Sequence, residues 1–287
     1  MIDRRDTLKG AAALAAATAL AAQEQDVTAK SDTKPLPTLF VSHGAPNLVL
    51  SDLPVRRFLT ALGSRYEPRA IVVVSAHWLT REVTVDVSEK PKTIHDFMGF
   101  EEELYQVRYD APGARELATE LADTLADGHH TVKREARGLD HGAWVPLKLA
   151  WEKAAIPVTQ LSLQPAKSAE HHHRVGLALS ALRKRGVLVI GSGGATHNLG
   201  ELGPGDSLPK WAAAFDTWLD EKARAGDATS LIDYRKLAPD AARNHPTEDH
   251  YLPLLVALGA AGDGAKGTTL HASAAYGSLS LRAFEFS

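Results

Sequence analysis

Apolar residues along the chain fall into two periods. Ala70–Trp78 (AIVVVSAHW) carries four consecutive apolar residues, Ile71–Val74, the composition of a strand buried on both faces of a mostly parallel sheet. Thr38–Ser42 (TLFVS), Val158–Leu163 and Val187–Ile190 repeat that pattern, and Thr269–Ala272 and Ser278–Phe286 predict closing strands. Glu82–Val87 (EVTVDV) alternates strictly, which predicts a half-exposed strand. Helical spacing covers Leu53–Leu62, Ala114–Leu125, Ala169–Lys184 and Trp211–Arg224. In Trp211–Arg224 the residues Trp211, Phe215 and Trp218 share the core face. Two further helices are predicted, one beginning at Val145 and a final one opened by Pro246, with Glu248 and Asp249 at its positive end. Strands alternating with helices, without a repeat or an internal linker, read as one α/β domain.

Three of the strand-like runs close in small residues and a histidine: His43, His77 and His197. In open α/β sheets ligands gather outside the carboxyl ends of the strands, so a histidine just past such an end is placed for chemistry. His141, in the loop Gly138–Trp144, and His250 complete the candidate set. Neutral imidazole suits iron, zinc, copper and nickel, and two or three imidazoles can hold either a redox iron or a water-activating zinc. Ligand type alone leaves that choice open. No HExxH or GxSxG signature is present, and the glycines at 191–194 fit neither nucleotide-binding pattern. Those glycines are expected to let the backbone crowd against a metal or ligand. His171, His172 and His173 project about 100° apart on their helix and cannot share one ion, so they are expected on the solvated surface. Ile94–Phe100, an aromatic loop with His95 and Asp96, either lines a pocket or staples itself to the core.

Composition adds exclusions. A 44% hydrophobic, 23% charged chain of 287 residues with net charge −3 and no basic stripe is not a nucleic-acid binder. The absence of cysteine removes disulfides and thiolate ligands. Arg4-Arg5 precedes a small apolar stretch, Gly10–Ala22, too short for a membrane anchor in the mature protein. Residues 1–22 therefore read as a twin-arginine signal peptide, addressed to the export machinery that carries folded proteins to the periplasm. Residues 23–37 form a polar tether, and 38–287 the catalytic domain. If the signal is unused, the protein stays cytoplasmic.

In order, SHGAPN (42–47), SAHW (75–78), TIHDFMGF (93–100), GLDHGAW (138–144), GSGGATHNL (191–199) and HPTEDHYLPLL (245–255) span nearly all of residues 38–287. This series resembles the class III extradiol ring-cleavage dioxygenases, in particular the DOPA-4,5-dioxygenase-like branch of the LigB-type superfamily. The resemblance implies a single α/β domain with a mixed, largely parallel sheet flanked by helices. It implies one divalent metal, Fe(II) or Zn(II), on His43, His77 and His250. His197 matches the acid/base histidine, close enough to count as a possible fourth ligand, and His141 matches one facing the substrate or oxygen pocket. His95 and Asp96 fall in the aromatic loop of the substrate pocket. The implied reaction is cleavage of a catechol beside its hydroxyls by O2, with His197 taking a proton and His141 facing the oxygen. Where the wider superfamily completes its iron site with a glutamate, this chain has His250, with Glu248 and Asp249 beside it as possible carboxylates. Three imidazoles also match a hydrolytic zinc. The alternatives are thus a zinc-dependent hydrolase on the same histidines, or an exported metal-binding protein without catalysis.

Overall fold

Alternation within the apolar runs builds two cores at once. The computed structural model describes residues 34–287, and Pro35–Ser287 form one compact unit. The expected signal peptide and most of the tether lie outside the described residues. Leu36 already exchanges backbone and guanidinium hydrogen bonds with Arg183, so the domain begins slightly before Thr38.

The strands are β1 (Thr38–Ser42), β2 (Ala70–Leu79), β3 (Val83–Asp86), β4 (Val132–Glu135), β5 (Val158–Leu163), β6 (Val187–Gly193), β7 (Gly267–His271), β8 (Ala274–Ala275), β9 (Leu279–Ser280) and β10 (Ala283–Phe286). Eight of them form one sheet in the order β4-β3-β5-β2-β6-β1-β10-β7, and β8 pairs with β9. Pairs β5–β2, β2–β6, β6–β1 and β3–β4 are parallel, while β3–β5, β1–β10 and β10–β7 are antiparallel. The longer helices are α1 (Pro54–Leu62), α2 (Arg115–Asp127), α3 (His141–Ala150), α4 (Ala169–Leu179), α5 (Lys210–Ala225) and α6 (Leu252–Ala261).

Because side chains alternate across a strand, Val72, Val74, Val187 and Val189 join one core with α2, α4, α5 and α6. Ile71, Val73, Leu188 and Ile190 join the other, with α1 and α3. Helices α4 and α6 touch through Gly176 and Gly259, where an added Cβ at either would collide with the opposing backbone. Among the described residues no helix is long and apolar enough to cross a membrane.

Four expectations need correction. Strand β2 runs on through His77 and Trp78, so His77 sits within the strand and not beyond it. Strand β3 is buried along its whole length. Its polar positions are satisfied internally: the Ser162 Oγ accepts from the Thr84 N–H (2.9 Å), and Asp86 accepts from the N–H groups of Ser88 and Gly138. Helix α3 starts at His141, not Val145, because Asp140 caps it by accepting from the Ala143 N–H. The last helix starts at Leu252 with Pro253 in its first turn, which leaves 245–251 as a turn segment. Strand β4 (VKRE), unforeseen, is a charged sheet edge.

Candidate metal centre

The carboxyl ends of β1, β2 and β6 lie side by side, since Ser42 pairs with Gly193 and Ser75 with Ser192. His43 follows β1 directly, and His77 stands near the end of β2. His141 opens α3 over the same edge. His197 follows the end of β6, and His250 precedes α6. The structure thus brings all five strand-edge and loop histidines together. Ring centroids of His43 lie 5.0 Å from His77, 5.4 Å from His141 and 5.3 Å from His250. Those of His77 and His141 are 3.8 Å apart, and those of His77 and His250 4.9 Å. His197 stacks on His250 with centroids 3.4 Å apart and planes at 4°.

Gly193 and Gly194 line the cavity, and Gly191 and Gly193 also make room for backbone. A Cβ at Gly191 would collide with the Pro253 carbonyl and one at Gly193 with the His250 carbonyl. They therefore admit the backbone entering α6, and with it His250, to the strand edge. Gly142 lies against the rings themselves: a Cβ there would strike Ser75 Oγ and crowd the rings of His77 and His43.

Three of the five rings, those of His43, His141 and His250, are oriented by a partner on Nδ1. Ser192 Oγ donates to the Gly142 carbonyl, so it must accept at 3.0 Å from His43 Nδ1–H, which leaves His43 Nε2 as a lone pair. His141 Nδ1–H donates to Asp96 Oδ2 at 3.0 Å, while Asp96 Oδ1 accepts the His141 backbone N–H at 2.9 Å. His250 Nδ1–H donates to Asp249 Oδ2 at 2.5 Å. His77 Nδ1 lies 3.9 Å from Asp96 Oδ2. A histidine that donates one N–H to a carboxylate or hydroxyl while offering the other nitrogen is the arrangement of a metal ligand.

Beneath these rings, buried Asp140 accepts from Ser75 Oγ (2.6 Å), Gln160 Nε2 (2.9 Å) and Arg137 Nη1 (2.8 Å). Arg137 also donates to the His77 carbonyl and covers the Trp78 ring. Nothing in the spacing of Arg137, Asp140, Gln160 and Ser75 announced this support, because its members come from separate elements. The D-x-x-x start of α3 was the one local signal, as a helix cap.

Burial favours the neutral imidazole at His43, His77, His197 and His250. Burial, followed by the neighbouring histidines, holds His43 well below the ordinary histidine value. The same causes bring His77 to about 4, with Asp140 and Asp96 opposing. His250 falls to about 3 through burial, against the opposing hydrogen bond to Asp249. Burial also lowers His197, with Asp249 opposing. Burial would raise Asp96, but the hydrogen bonds and charge of His141 outweigh it and bring it to about 2. Neutral imidazole is the metal-binding form.

Two groups of ligand atoms each lie within 4.8 Å of one another: His43, His77 and His141, and His197, Asp249 and His250. His43 Nε2 and His77 Nε2 are 3.1 Å apart. Two nitrogens each about 2.1 Å from one ion at near a right angle stand about 3 Å apart. The donor set therefore fits one ion. Glu248 is engaged elsewhere, accepting from Tyr234 and Arg235, so it is no ligand. His95 donates through Nε2–H to the Val107 carbonyl and accepts from Arg108, and it does not line the cavity. His172 is likewise corrected: it is buried, with Nδ1–H on the Ser168 carbonyl (2.9 Å) and Nε2 accepting from the Gln164 N–H (3.1 Å).

A cavity of about 460 Å³ opens onto the five rings, within the range of small-molecule sites. Phe97 and Phe100 of the aromatic loop line it, while Asp96 clamps His141, so that loop both lines a pocket and braces the site.

A family profile described as the catalytic LigB subunit of aromatic ring-opening dioxygenase matches residues 53–284, and one for the twin-arginine translocation signal matches residues 1–21. The chain is 43% identical over 256 residues to the 4,5-DOPA dioxygenase extradiol of Beta vulgaris, covering 87% of this chain and 96% of that protein. It is 41% identical over 231 residues to the protein of the same name from Escherichia coli (strain K12), covering 78% and 85%. A crystal structure of an uncharacterized protein from Escherichia coli K12 superposes with TM-score 0.75 at 34% identity, covering 88% of this chain and all of that one.

Proposed function

Since the chain belongs to the LigB family of aromatic ring-opening dioxygenases, we propose that His43, His77 and His250 hold one divalent metal at which O2 opens a catechol beside its hydroxyl pair. The convergence of five buried or half-buried histidines, most of them braced through one ring nitrogen, on a largely apolar cavity carries this reading. Fe(II) is placed there ahead of Zn(II), because insertion of O2 needs an ion that changes oxidation state and zinc does not. The twin-arginine signal directs the protein to the periplasm.

When bound, the metal supplies a Lewis-acidic contact for the catechol oxygens and the electron transfers that O2 requires. The chain's residues do the rest. His197, half-buried with its pKa lowered, is neutral at ordinary pH and accepts a hydroxyl proton as general base. Its backbone N–H donates to the Asn244 carbonyl at 2.9 Å, which fixes where the ring starts. Asp96 holds the Nδ1–H of His141, so that its other nitrogen, Nε2, serves the oxygen side of the cavity as an acceptor of a proton or hydrogen bond. Phe97 and Phe100 exclude water from the ring. One ring C–C bond breaks and both atoms of O2 enter the product, a muconic semialdehyde.

The grouping of His141 with His43 and His77 supports a second assignment, in which His141 is the third ligand and His250 faces substrate. The zinc-hydrolase alternative is not favoured, since the named relatives are dioxygenases. Anaerobic loading with Fe(II) or Zn(II), addition of 4-methylcatechol or L-DOPA, and admission of O2 test the reading. Stoichiometric oxygen uptake with a yellow product in the Fe(II) protein alone is expected. No uptake with any catechol would overturn it.

A further inference from the structure

The segment 244–250 is zipped to the turn Gly194–His197, and one tooth of that zipper is a histidine with no part in the chemistry so far. Gly194 N–H donates to the His250 carbonyl (3.0 Å), and His197 N–H donates to the Asn244 carbonyl (2.9 Å). Between these two, His245 Nε2–H donates to the Ala195 carbonyl at 3.0 Å. The other side of the turn is held as well. Ser42 Oγ accepts from the Ala195 N–H (3.0 Å), and Thr196 Oγ1 donates to the Ser278 carbonyl (2.8 Å). Together these bonds place the His197 ring, which lies flat on His250.

His245 is buried in a box of Phe215, Tyr234 and Tyr251, with ring centroids 5.4, 6.2 and 5.4 Å away. Pro246 disfavours helix at the residue before it, so the short helix Ala241–Asn244 ends at His245, whose backbone sits at φ −130°, ψ 83°. Burial brings the imidazole to about 3, against the opposing hydrogen bond to Ala195, so the ring is neutral and carries one N–H. That hydrogen goes to Ala195. Nδ1 is left buried without a partner. An apolar side chain would fill the same box and orphan no nitrogen. The single donated hydrogen bond therefore accounts for an imidazole here, and packing does not.

We infer that His245 is a positioning residue, which acts through the Ala195 carbonyl to set the turn that aims His197 at the substrate proton. The inference rests on the reading of His197 as general base above. His245 does not line the cavity, and its link to His197 runs through backbone. Its loss should therefore act on turnover, with little effect on catechol binding.

Three variants separate the bond from the bulk. His245→Leu keeps most of the volume and removes the donor. His245→Gln can put an amide N–H where Nε2 stands, whereas His245→Asn puts it nearer Nδ1. In the Fe(II)-loaded protein, His245→Leu and His245→Asn should lower kcat about 10- to 100-fold, the scale of a small misplacement of a reacting group, with KM and metal content near the parent's. His245→Gln should recover most of that loss. A second readout needs neither metal nor turnover. In the full chain before metal is added, the His197 ring-proton resonances, identified by their absence in His197→Ala, carry a ring-current shift from His250. His245→Leu and His245→Asn should change that shift, and His245→Gln should keep it. Parent-like His197 resonances in His245→Leu would overturn the inference, as would parent-like kcat in a protein that opens catechols. Equal losses in all three variants would also overturn it, since they mark a histidine that only supports the fold. Should His245→Leu not fold, His245→Gln against His245→Asn decides in the same way. If the resonances follow the expected pattern but the parent opens no catechol, the positioning of His197 stands and the ring-opening reading falls.

Discussion

Two histidine-rich regions of this molecule look alike as sequence and differ in what their nitrogens do. On α4, three consecutive histidines include His172, whose two ring nitrogens are both consumed by the Ser168 carbonyl and the Gln164 N–H. At the strand edge, His43, His141 and His250 each spend Nδ1 on Ser192, Asp96 or Asp249 and keep Nε2 in reserve. Burial is similar in the two places. The difference lies in the unspent nitrogen, and it separates a histidine that stabilises a helix from one that could receive an ion.

The strongest test of this contrast removes a reserved nitrogen. His43→Ala and His77→Ala should cut metal affinity more than about 100-fold and abolish oxygen uptake, as measured by metal analysis and an oxygen electrode. His250→Ala and His141→Ala then sharpen the picture, because whichever matches His43→Ala in metal content is the third ligand. Next in size, His197→Ala should retain metal and catechol binding while kcat falls about 10²–10⁴-fold. Near-normal turnover in that variant would remove His197 from the proton transfer.

Loosening a bracing partner should do less. Asp249→Asn leaves His250 in place but weakens its orientation, and metal affinity should drop about 10–100-fold in a chelator competition. The smallest effect on the site belongs to α4. His172→Gln should leave metal content unchanged while altering stability against acid. Burial lowers His172 to about 4 in the folded chain, so the unfolded chain takes up its proton first. Its contribution is complete above about pH 6.5 and is lost as pH falls towards 4, at up to about 1.4 kcal/mol per pH unit. The variant should show a shallower decline over that window in denaturant titrations. An unchanged pH slope would mean that His172 takes up its proton alike in the folded and unfolded chains.

Much of this was legible in the chain itself. Buried parallel strands announce themselves because both faces are apolar, so β1, β2, β5 and β6 stood out, and with them the edge where the histidines gather. What stayed hidden depends on partners distant in sequence. Strand β3 alternates like a half-exposed strand, yet Ser162, Ser88 and Gly138 bury its polar side. Strand β4 has three charged residues of four and is a strand only because β3 offers it an edge. Both Pro246 and Pro253 suit a first turn, so the sequence alone does not place the start of the last helix, whereas the structure uses Pro253 and lays the His250 carbonyl against Gly193. The GSGG run signalled close approach, but not that the approaching group is backbone. His172 looked solvated because a helix surface is the default for three adjacent histidines, and the Gln164 N–H that claims it comes from a loop end. The clamps on the rings were unreadable for the same reason, except Asp249, which adjoins its histidine.

His43 and His250 come from opposite ends of the domain, and β1 enters the sheet between β6 and the C-terminal strand β10. No fragment emerging from the ribosome short of the last helices can bring His43 and His250 together. With the proposed ligand set, ion capture is a late event that certifies a finished chain. For a protein whose signal belongs to a route that moves folded cargo, the metal would be chosen from the stock of the compartment of synthesis, before the destination has any say.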